Sequence, residues 1–327
     1  MRTADRAAAK PIEPMASENA TEPETTTLLS RIPISAGPII ITLIGDAILP
    51  RGGTISLKTL TALLAGLGVK AGQARTALSR LVVEGWLERS RTGRETSYRL
   101  AASRLGEFQA AMQRVYAPAP DDWSGAFDQV VLLEPNAATR AARRVVLEHQ
   151  GFGAVAPNTL IRPAGLHPQN TADVAAPATH DVIGRFVPRS GCDLVALART
   201  VWPLADAAHR FEQFCATFSP VLSHMRGRRV LGATAFEARI RAAHAFRRAV
   251  LRDPGLPAAL LPADWPGLAA RRLCAEIYGT ALIPSEDWLS RTAERCGQIL
   301  PDADEELHRR FLFVTDADKL QISLNSR

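Results

Sequence analysis

A helix with one bare polar face, followed directly by a basic hairpin, constrains this chain more than any other feature. Over residues 71–83 the apolar side chains recur at the three- and four-residue spacing of a single buried helix face. Gly85 follows at a position where a left-handed residue commonly ends a helix. The opposite face of the predicted helix presents only polar side chains, namely Gln73, Arg75, Thr76, Ser79 and Arg80.

The next residues predict a tight β-hairpin. Strands are expected over residues 87–91 and 96–100, joined by a turn in which Gly93 supplies the permissive backbone. Either the helix or the hairpin alone is usually an ordinary solvated surface. Behind a further predicted helix over residues 56–67 and a short turn at 68–70, the two together indicate a winged helix-turn-helix that binds DNA. Four arginines lie in the hairpin: Arg89, Arg91, Arg94 and Arg99.

The residue types fit contact with double-stranded DNA. Arginine pairs with guanine, glutamine with adenine, and serine or threonine with either base. The five polar residues of the helix are therefore the candidate contacts to bases or phosphates in the major groove. The four hairpin arginines are the candidate contacts to the flanking phosphate backbone, which position the protein more than they specify a sequence.

The net charge is concentrated in the same region. Residues 31–105 contain 11 Lys and Arg against 4 Asp and Glu, a net charge of +7, whereas the whole chain carries +6. The rest of the chain is therefore nearly neutral. A local basic excess of this kind is the electrostatic footprint of a phosphate-binding module.

Composition places the rest of the chain among globular proteins. The 327 residues are 46% hydrophobic and 22% charged, and the length suffices for two or three domains. The four cysteines are scattered without a C-x-x-C pair, which predicts reduced thiols and a cytoplasmic location. The longest apolar run, residues 38–49, is too short for a membrane span and is interpreted as the first helix of the DNA-binding domain.

We predict an α+β chain with three domains behind a disordered tail. The tail comprises residues 1–30, which contain few large apolar side chains. After the tail, the predicted domains are a winged-helix domain at 31–105, a middle domain at 121–230 and a helical domain at 231–327. A connecting helix and a Pro-rich linker at 106–120 separate the first two.

Strand and helix patterns alternate in the middle domain, whereas the pattern beyond residue 234 is helical. The order in the middle domain indicates a small ferredoxin-like α+β sandwich. The predicted strands cover residues 127–133, 158–162, 181–187 and 193–200, the predicted helices 137–150 and 204–223, and a predicted loop 164–179. In the C-terminal domain, helices are predicted over 235–252, 265–283 and 285–298.

Two separate motifs resemble one known family. GDAILPRGG at residues 45–53 and GQARTALSRLVVEGWLERSRTGRETSYRL at residues 72–100 resemble the N-terminal motif of the PaaX family, the repressors of phenylacetic-acid-degradation operons. AHAFRRAVLRDPGLPAALLPADWPGLAARRLCAEIY at residues 243–278 resembles the C-terminal segment of that family. The two motifs are long and collinear, which makes the resemblance specific.

The resemblance implies an architecture and a mode of regulation. The implied domains are a winged helix, a middle domain similar to the Cas2-like ferredoxin-like fold, and an all-helical C-terminal domain. It also implies a homodimeric repressor, without a catalytic cofactor, that leaves its double-stranded DNA operator on binding an aryl-CoA thioester such as phenylacetyl-CoA. Carried over by position, the recognition helix falls on residues 72–84 and the wing on residues 87–100.

In a regulator of that kind, basic residues near the C-terminal motif are candidates for holding the effector. Arginines bind the phosphates of CoA through charge-assisted hydrogen bonds, and an aromatic ring can face an aryl or adenine ring. Solvated helix faces, ion pairs and a core tryptophan are the structural alternatives. The candidates are Arg247, Arg248, Trp265, Arg271 and Arg272.

An enzyme is the competing class. A metal-dependent nuclease needs metal-binding carboxylates, and Asp128 is a single carboxylate without an evident partner, while the histidines show no ligand spacing. A CoA-ester-processing enzyme is the other possibility, but the chain contains no G-x-S-x-G elbow, P-loop or G-x-G-x-x-G. A third class, an RNA-binding or architectural winged-helix protein, would bind without sequence preference. We therefore predict a regulator of transcription that is not an enzyme and holds no metal.

Overall fold

Residues 22–117, 123–165 and 181–311 are described by a computed structural model, and within these ranges the chain is α+β, as the sequence predicts. Helices predominate, and the strands form one three-stranded and one four-stranded sheet. Among the helices of these ranges, none combines the length and the apolar character that crossing a bilayer demands.

The first part of the chain combines helices with the small sheet. Ser56 starts one helix, because its Oγ accepts a hydrogen bond from the amide of Thr59 at 3.1 Å. The predicted helix pair and hairpin are confirmed, with α3 and α4 followed by β2 and β3. The elements are α1 Glu22–Ser30, α2 Ala36–Leu43, β1 Thr54–Ser56, α3 Leu57–Gly66, α4 Ala71–Val83, β2 Leu87–Thr92 and β3 Glu95–Leu100, with sheet order β1-β3-β2.

Helix α2 does not end regularly. It continues into a π-helical turn, Ile44–Ile48, and then into a 3-10 turn, Leu49–Arg51, so the predicted helix over 38–49 changes its winding halfway. The turn contains Gly45, where an added Cβ would lie 1.8 Å from the ring of Phe108. A side chain at position 45 would therefore displace the aromatic ring packed against this turn.

The middle part contains the four-stranded antiparallel sheet. The predicted strands over 127–133, 158–162 and 181–187 are confirmed within a few residues, and a fourth strand, β5, was not predicted. The predicted loop at 164–179 lies almost entirely outside the described residues. The elements are α5 Leu105–Tyr116, β4 Phe127–Leu132, α6 Ala137–His149, β5 Gly153–Ala156, β6 Thr159–Pro163, β7 Asp181–Phe186 and α7 Leu194–Val201, with sheet order β5-β6-β4-β7.

The predicted strand over residues 193–200 is wrong, because this segment is helix α7. Asp193 caps the helix by accepting a hydrogen bond from the amide of Ala196 at 2.9 Å. Ala198 and Val201 are buried in the cluster around Phe127, which lies on one face of the four-stranded sheet. An apolar run this short fits either periodicity, and tertiary packing selects the helix.

Four helices follow in the described residues 204–311. The prediction of separate helices over 265–283 and 285–298 is wrong, because α10 passes through Pro284 without a break. Ala281 and Leu289 are buried on either side of the proline, so packing holds both halves in line. The proline removes one helix hydrogen bond and crowds the carbonyl one turn earlier, a cost that the buried contacts offset. The helices are α8 Leu204–Met225, α9 Gly232–Val250, α10 Pro266–Arg295 and α11 Glu305–Arg309.

Helix α1 corrects the prediction of a disordered tail over residues 1–30. Residues 22–30 form this helix, and Leu29 is completely buried where α1 packs against α8 and α9. The apolar pair at the end of the tail is thus enough to dock one helix. Residues 1–21 lie outside the described part of the chain.

One large hydrophobic cluster contains buried side chains from both the N-terminal and the C-terminal helices. It includes side chains of α2, α3 and α4 together with side chains of α8, α9 and α10. The four-stranded sheet has two smaller clusters, one on each face. The predicted domain boundaries stay predictions, but side chains of residues 31–105 and of residues 231–311 share this one core.

Candidate nucleic-acid interface

The polar face of α4 is open to solvent. The apolar face of this helix is buried against α2 and α3 through Ala74, Ala77, Leu78 and Leu81. The five residues predicted to contact DNA are all exposed on the other side. The structure thus brings these five together on one surface.

Two of the five also make hydrogen bonds to the backbone in the first turns of α4. The Oε1 atom of Gln73 accepts a hydrogen bond from the amide of Lys70 at 3.2 Å, which satisfies a free donor at the helix start. The hydroxyl of Thr76 donates to the carbonyl of Gly72 at 3.1 Å. The carboxamide NH₂ of Gln73 stays available for a base, whereas its oxygen is already engaged.

The charged residues of the face differ in their partners. Arg80 lies 3.3 Å from Glu84, and both side chains are largely exposed. Within the described residues, Arg75 and Ser79 make no side-chain hydrogen bond or ion pair. Arg75 can therefore direct its whole guanidinium fork at a base edge, whereas the Nε atom of Arg80 is paired with Glu84.

The hairpin beside α4 places its arginines on two different faces. Cross-strand partners share a face, and Arg89 lies opposite Tyr98, whereas Arg99 lies opposite Glu88. Arg91 is on the same face as Arg89, because the two are separated by one residue. The sequence did not anticipate that Arg99 lies on the other face.

Arg99 is also occupied within the hairpin. Its Nη2 atom lies 2.7 Å from a carboxylate oxygen of Glu88. The pKa of Glu88 is lowered by the backbone amide of Ala102 and by Arg99. Arg91 and Arg94 flank Gly93, whose φ of 61° permits the two-residue turn. Arg91 donates to the carbonyl of Gly93 at 3.1 Å. Within the described residues, Arg89, Arg91 and Arg94 are exposed and have no acidic partner, in contrast to Arg99.

A surface groove beside α4 was not predicted from the sequence. It has a volume of about 510 Å³ and lies between the start of α2 and the polar face of α4. A Cβ on Gly37 would lie 2.6 Å from Nη2 of Arg80, so the glycine leaves room for that side chain. Only the run of small residues signals this groove in the sequence. It is lined by Ser35, Ala36, Gly37, Pro38, Gly72, Gln73, Thr76, Ala77 and Arg80.

Arg271 and Trp265, both candidate effector residues, contact neighbouring parts of the fold. Arg271 donates to the carbonyls of Val115 and Ala117, each at 2.9 Å, and so binds the free carbonyls at the end of α5. Trp265 makes an edge-to-face contact with Phe211 at a centroid distance of 6.0 Å.

The other three candidates are less constrained. Arg248 and Arg272 are exposed, and Arg247 is half-buried. The Nε atom of Arg247 has no hydrogen-bond partner among the described residues. Burial lowers the pKa of Arg247.

Asp128, the carboxylate considered for a metal, is paired with two arginines instead. Arg185 lies 2.8 Å from Oδ1 of Asp128 and Arg162 lies 3.6 Å from Oδ2. Within residues 22–117, 123–165 and 181–311 there is no group of His, Cys, Asp or Glu side chains that could hold a metal ion.

A buried ion cluster lies where α2 and its π-helical turn meet the C-terminal helices. Asp46, in the π-helical turn, lies 2.7 Å from Nη2 of Arg239, which also pairs with Glu286. Arg51 binds the other oxygen of Glu286 at 2.7 Å, and Arg310 lies 3.5 Å from Asp46. Burial disfavours the charge on Arg239, but Asp46 and the other groups around it outweigh this and raise its pKa above the ordinary value.

Aromatic side chains enclose the cluster. The hydroxyl of Tyr116 in α5 donates to Oδ2 of Asp46, and burial raises the pKa of that hydroxyl. The ring of Tyr278 in α10 lies 5.0 Å from the guanidinium carbon of Arg239. The π-helical turn after α2 is thus tied through charged and aromatic contacts to α5, α9 and α10.

Comparison with known proteins finds the same family in the N-terminal and the C-terminal part of the chain. Residues 35–104 match the family model described as PaaX-like protein, and residues 202–291 match the model described as PaaX-like protein C-terminal domain. The transcriptional repressor PaaX of Escherichia coli (strain K12) is 33% identical over 294 residues, covering 86% of this chain and 92% of that protein. A solved structure of an uncharacterized protein from Mycobacterium tuberculosis is 24% identical, with a TM-score of 0.51, and covers 80% of this chain and 98% of that one, which shows likeness of fold.

Proposed function

The chain belongs to the PaaX family, and on this premise we propose that it is a DNA-binding transcriptional repressor of a phenylacetate-type aromatic catabolic operon. The observation that carries the proposal is the exposed polar face of α4 beside a basic hairpin. Such a protein acts on DNA in the cytoplasm and needs no catalytic group.

The arrangement supports a winged helix-turn-helix at residues 31–105. Helices α3 and α4 are joined by a short turn, and β2 and β3 form the wing beside them. In this mode α4 enters the major groove and the exposed arginines at the hairpin tip bind flanking phosphates. A strand, a helix and two further strands, with β7 on the opposite edge, support a ferredoxin-like, Cas2-like middle domain.

The proposed repressor is a homodimer that binds an inverted repeat. Two recognition helices must then enter successive major grooves on one face of DNA, about 34 Å apart. An aryl-CoA thioester would release the dimer by binding more tightly to a conformation in which the two α4 helices are misplaced. Of the candidate effector residues, Arg247 and Arg248 have the fewest competing contacts within the described residues.

A mobility-shift assay on DNA upstream of the protein's own gene tests the proposed function. We expect selective binding at physiological salt, and release by phenylacetyl-CoA but not by free phenylacetate, because the CoA phosphates contribute to binding. Selective binding that no thioester relieves would retain the repressor and exclude this effector class. Binding without sequence preference would contradict the proposed function.

The wing can be tested separately through the salt dependence of binding. We expect the double substitution Arg91→Ala and Arg94→Ala to weaken binding to operator and to unrelated DNA alike. Each lost phosphate contact removes about 0.9 from the slope of log K against log salt concentration, so the slope should fall by about 2 in total. A loss confined to the operator would mean that the wing reads bases.

A further inference from the structure

Helix α9 is buried along most of its length although it carries several charges. Residues of α9 pack against α10, α8 and α2. Glu237, Arg239, Arg241 and His244 are all buried on this helix. Burying a charge raises the free energy of the folded state unless the charge is paired and hydrogen-bonded. The partners of these side chains therefore identify the segments to which α9 is bound.

Arg241 binds two backbone carbonyls of the DNA-binding elements. Its Nη1 atom donates to the carbonyl of Ile32 at 2.7 Å and its Nη2 atom to the carbonyl of Leu67 at 2.9 Å. Its Nε atom donates to Glu237 at 2.8 Å, which balances the charge within α9. One guanidinium therefore joins the segment before α2 to the turn that leads into α4.

The turn between α3 and α4 has internal hydrogen bonds and a further bond to Arg241. The amides of Gly68 and Val69 bond to the carbonyls of Ala65 and Leu64, each at 2.9 Å. The carbonyl of Leu67 points the other way and is bound by Arg241. A cation at this position also interacts favourably with the C-terminal end of the α3 dipole. Helix α4 starts only a few residues later, so the contact bears directly on its position.

Two further contacts from α9 act on the same elements. Nδ1 of His244 lies 2.9 Å from the hydroxyl of Thr42 in α2, and Arg239 pairs with Asp46 in the turn after α2. Burial, together with nearby arginines, lowers the pKa of His244 to about 4, so its imidazole is neutral at neutral pH. Helix α9 thus holds α2, its π-helical turn and the α3–α4 turn from one side.

We propose that α9 sets the position of α4, and that Arg241 is the positioning residue for operator recognition. The inference rests on the proposed function and deepens it. Arg241 is almost fully buried and lies behind the DNA-binding helices, so it touches no DNA in the proposed binding mode. Because close-packed contacts transmit a displacement instead of absorbing it, a shift of α9 relative to α10 moves the α3–α4 turn.

The conservative substitution Arg241→Lys tests the assignment on the full chain. Lysine retains the charge but has no planar fork to bind two carbonyls and Glu237 together. We expect operator affinity to fall about tenfold, with affinity for unrelated DNA and the salt slope unchanged. Partial unfolding would reduce both kinds of binding in proportion, so the ratio of specific to non-specific affinity separates positioning from stability.

Arg226→Lys is the matched control. Arg226 also uses a guanidinium fork, with both contacts to Glu276 at 2.6 Å, but it is largely exposed and joins α10 to the end of α8. We expect its operator affinity to equal that of the unmodified protein. If both lysine variants lose the same specificity, Arg241 has no special part in positioning α4 and the inference is overturned.

Hydrogen exchange supplies a readout that does not depend on DNA. We expect Arg241→Lys to accelerate exchange of the Gly68 and Val69 amides by about tenfold. Should the lysine variant fail to fold, the paired change Glu237→Gln with Arg241→Gln leaves no lone buried charge and serves in its place. If the exchange rates of these two amides are unchanged in the variant, the inference is overturned. If the unmodified protein does not bind the operator selectively, the proposed function itself is overturned.

Discussion

Replacing Arg75 and Arg80 together by alanine is expected to abolish selective operator binding while the protein stays folded. A bidentate arginine–guanine pair contributes about 1–3 kcal/mol of discrimination. Loss of two such pairs lowers the specific affinity by roughly thirtyfold to twenty-thousandfold, the conversion of about 2–6 kcal/mol. Mobility shifts on operator and on scrambled DNA of equal length measure the change.

The structure explains why stability should be nearly unaffected. Arg75 makes no side-chain hydrogen bond or ion pair within the described residues, and Arg80 has only the exposed pair with Glu84. An exposed pair at this spacing contributes about 0.3–0.5 kcal/mol. Arg226→Ala with Arg309→Ala is the control, because both residues are exposed and the net charge changes equally. Equal operator affinity in the two double variants would mean that α4 is not the recognition helix.

Replacing Arg239 by methionine is expected to cause the largest loss of stability of any single change discussed. Arg239 is fully buried and pairs with both Asp46 and Glu286. Without the guanidinium, the buried carboxylates of Asp46 and Glu286 have less positive charge to pair with. We expect the free energy of unfolding to fall by about 3–5 kcal/mol. Urea denaturation followed by circular dichroism measures the loss, with the m-value showing whether the unfolded surface also changes.

A surface ion pair should contribute much less to the free energy of unfolding than the buried cluster does. Arg309→Met breaks a pair with Glu305 in which both side chains are mostly exposed, so we expect a change below about 1 kcal/mol. A similarly small change for Arg239→Met would contradict the assignment of a buried, desolvated cluster. Because the cluster joins α2 to α9 and α10, its loss should destabilise the shared core as a whole.

The helix and hairpin proposed to bind DNA were predictable as structural elements because their signals are local. Apolar spacing identified the buried face of α4, and Gly93 between two short strands identified the hairpin turn. Periodicity also indicated which five side chains are exposed together. The separation of Arg99 from Arg89 and Arg91 follows from strand register, which becomes reliable only once the turn is known.

The predictions failed where packing competes with a local rule. Residues 193–200 contain a short apolar run, and their docking against the Phe127 cluster selects a helix. Pro284 predicts a helix break, but buried residues on both sides keep α10 continuous. Residues 22–30 were predicted to be disordered but form α1, because Leu29 is buried where α1 packs against α8 and α9. In each case the deciding partner is distant in the sequence.

The sequence by itself determined the basic helix-and-hairpin region, the candidate contact residues and the family. These follow from charge, periodicity and motif, which are properties of neighbouring residues. Only the tertiary structure decided that Arg239 binds the backbone and side chain of Asp46, 193 residues away, and that Arg241 binds the carbonyl of Leu67, 174 residues away. Such partners are selected when buried charges must be satisfied within a close-packed core, and no local spacing encodes which distant groups will meet there.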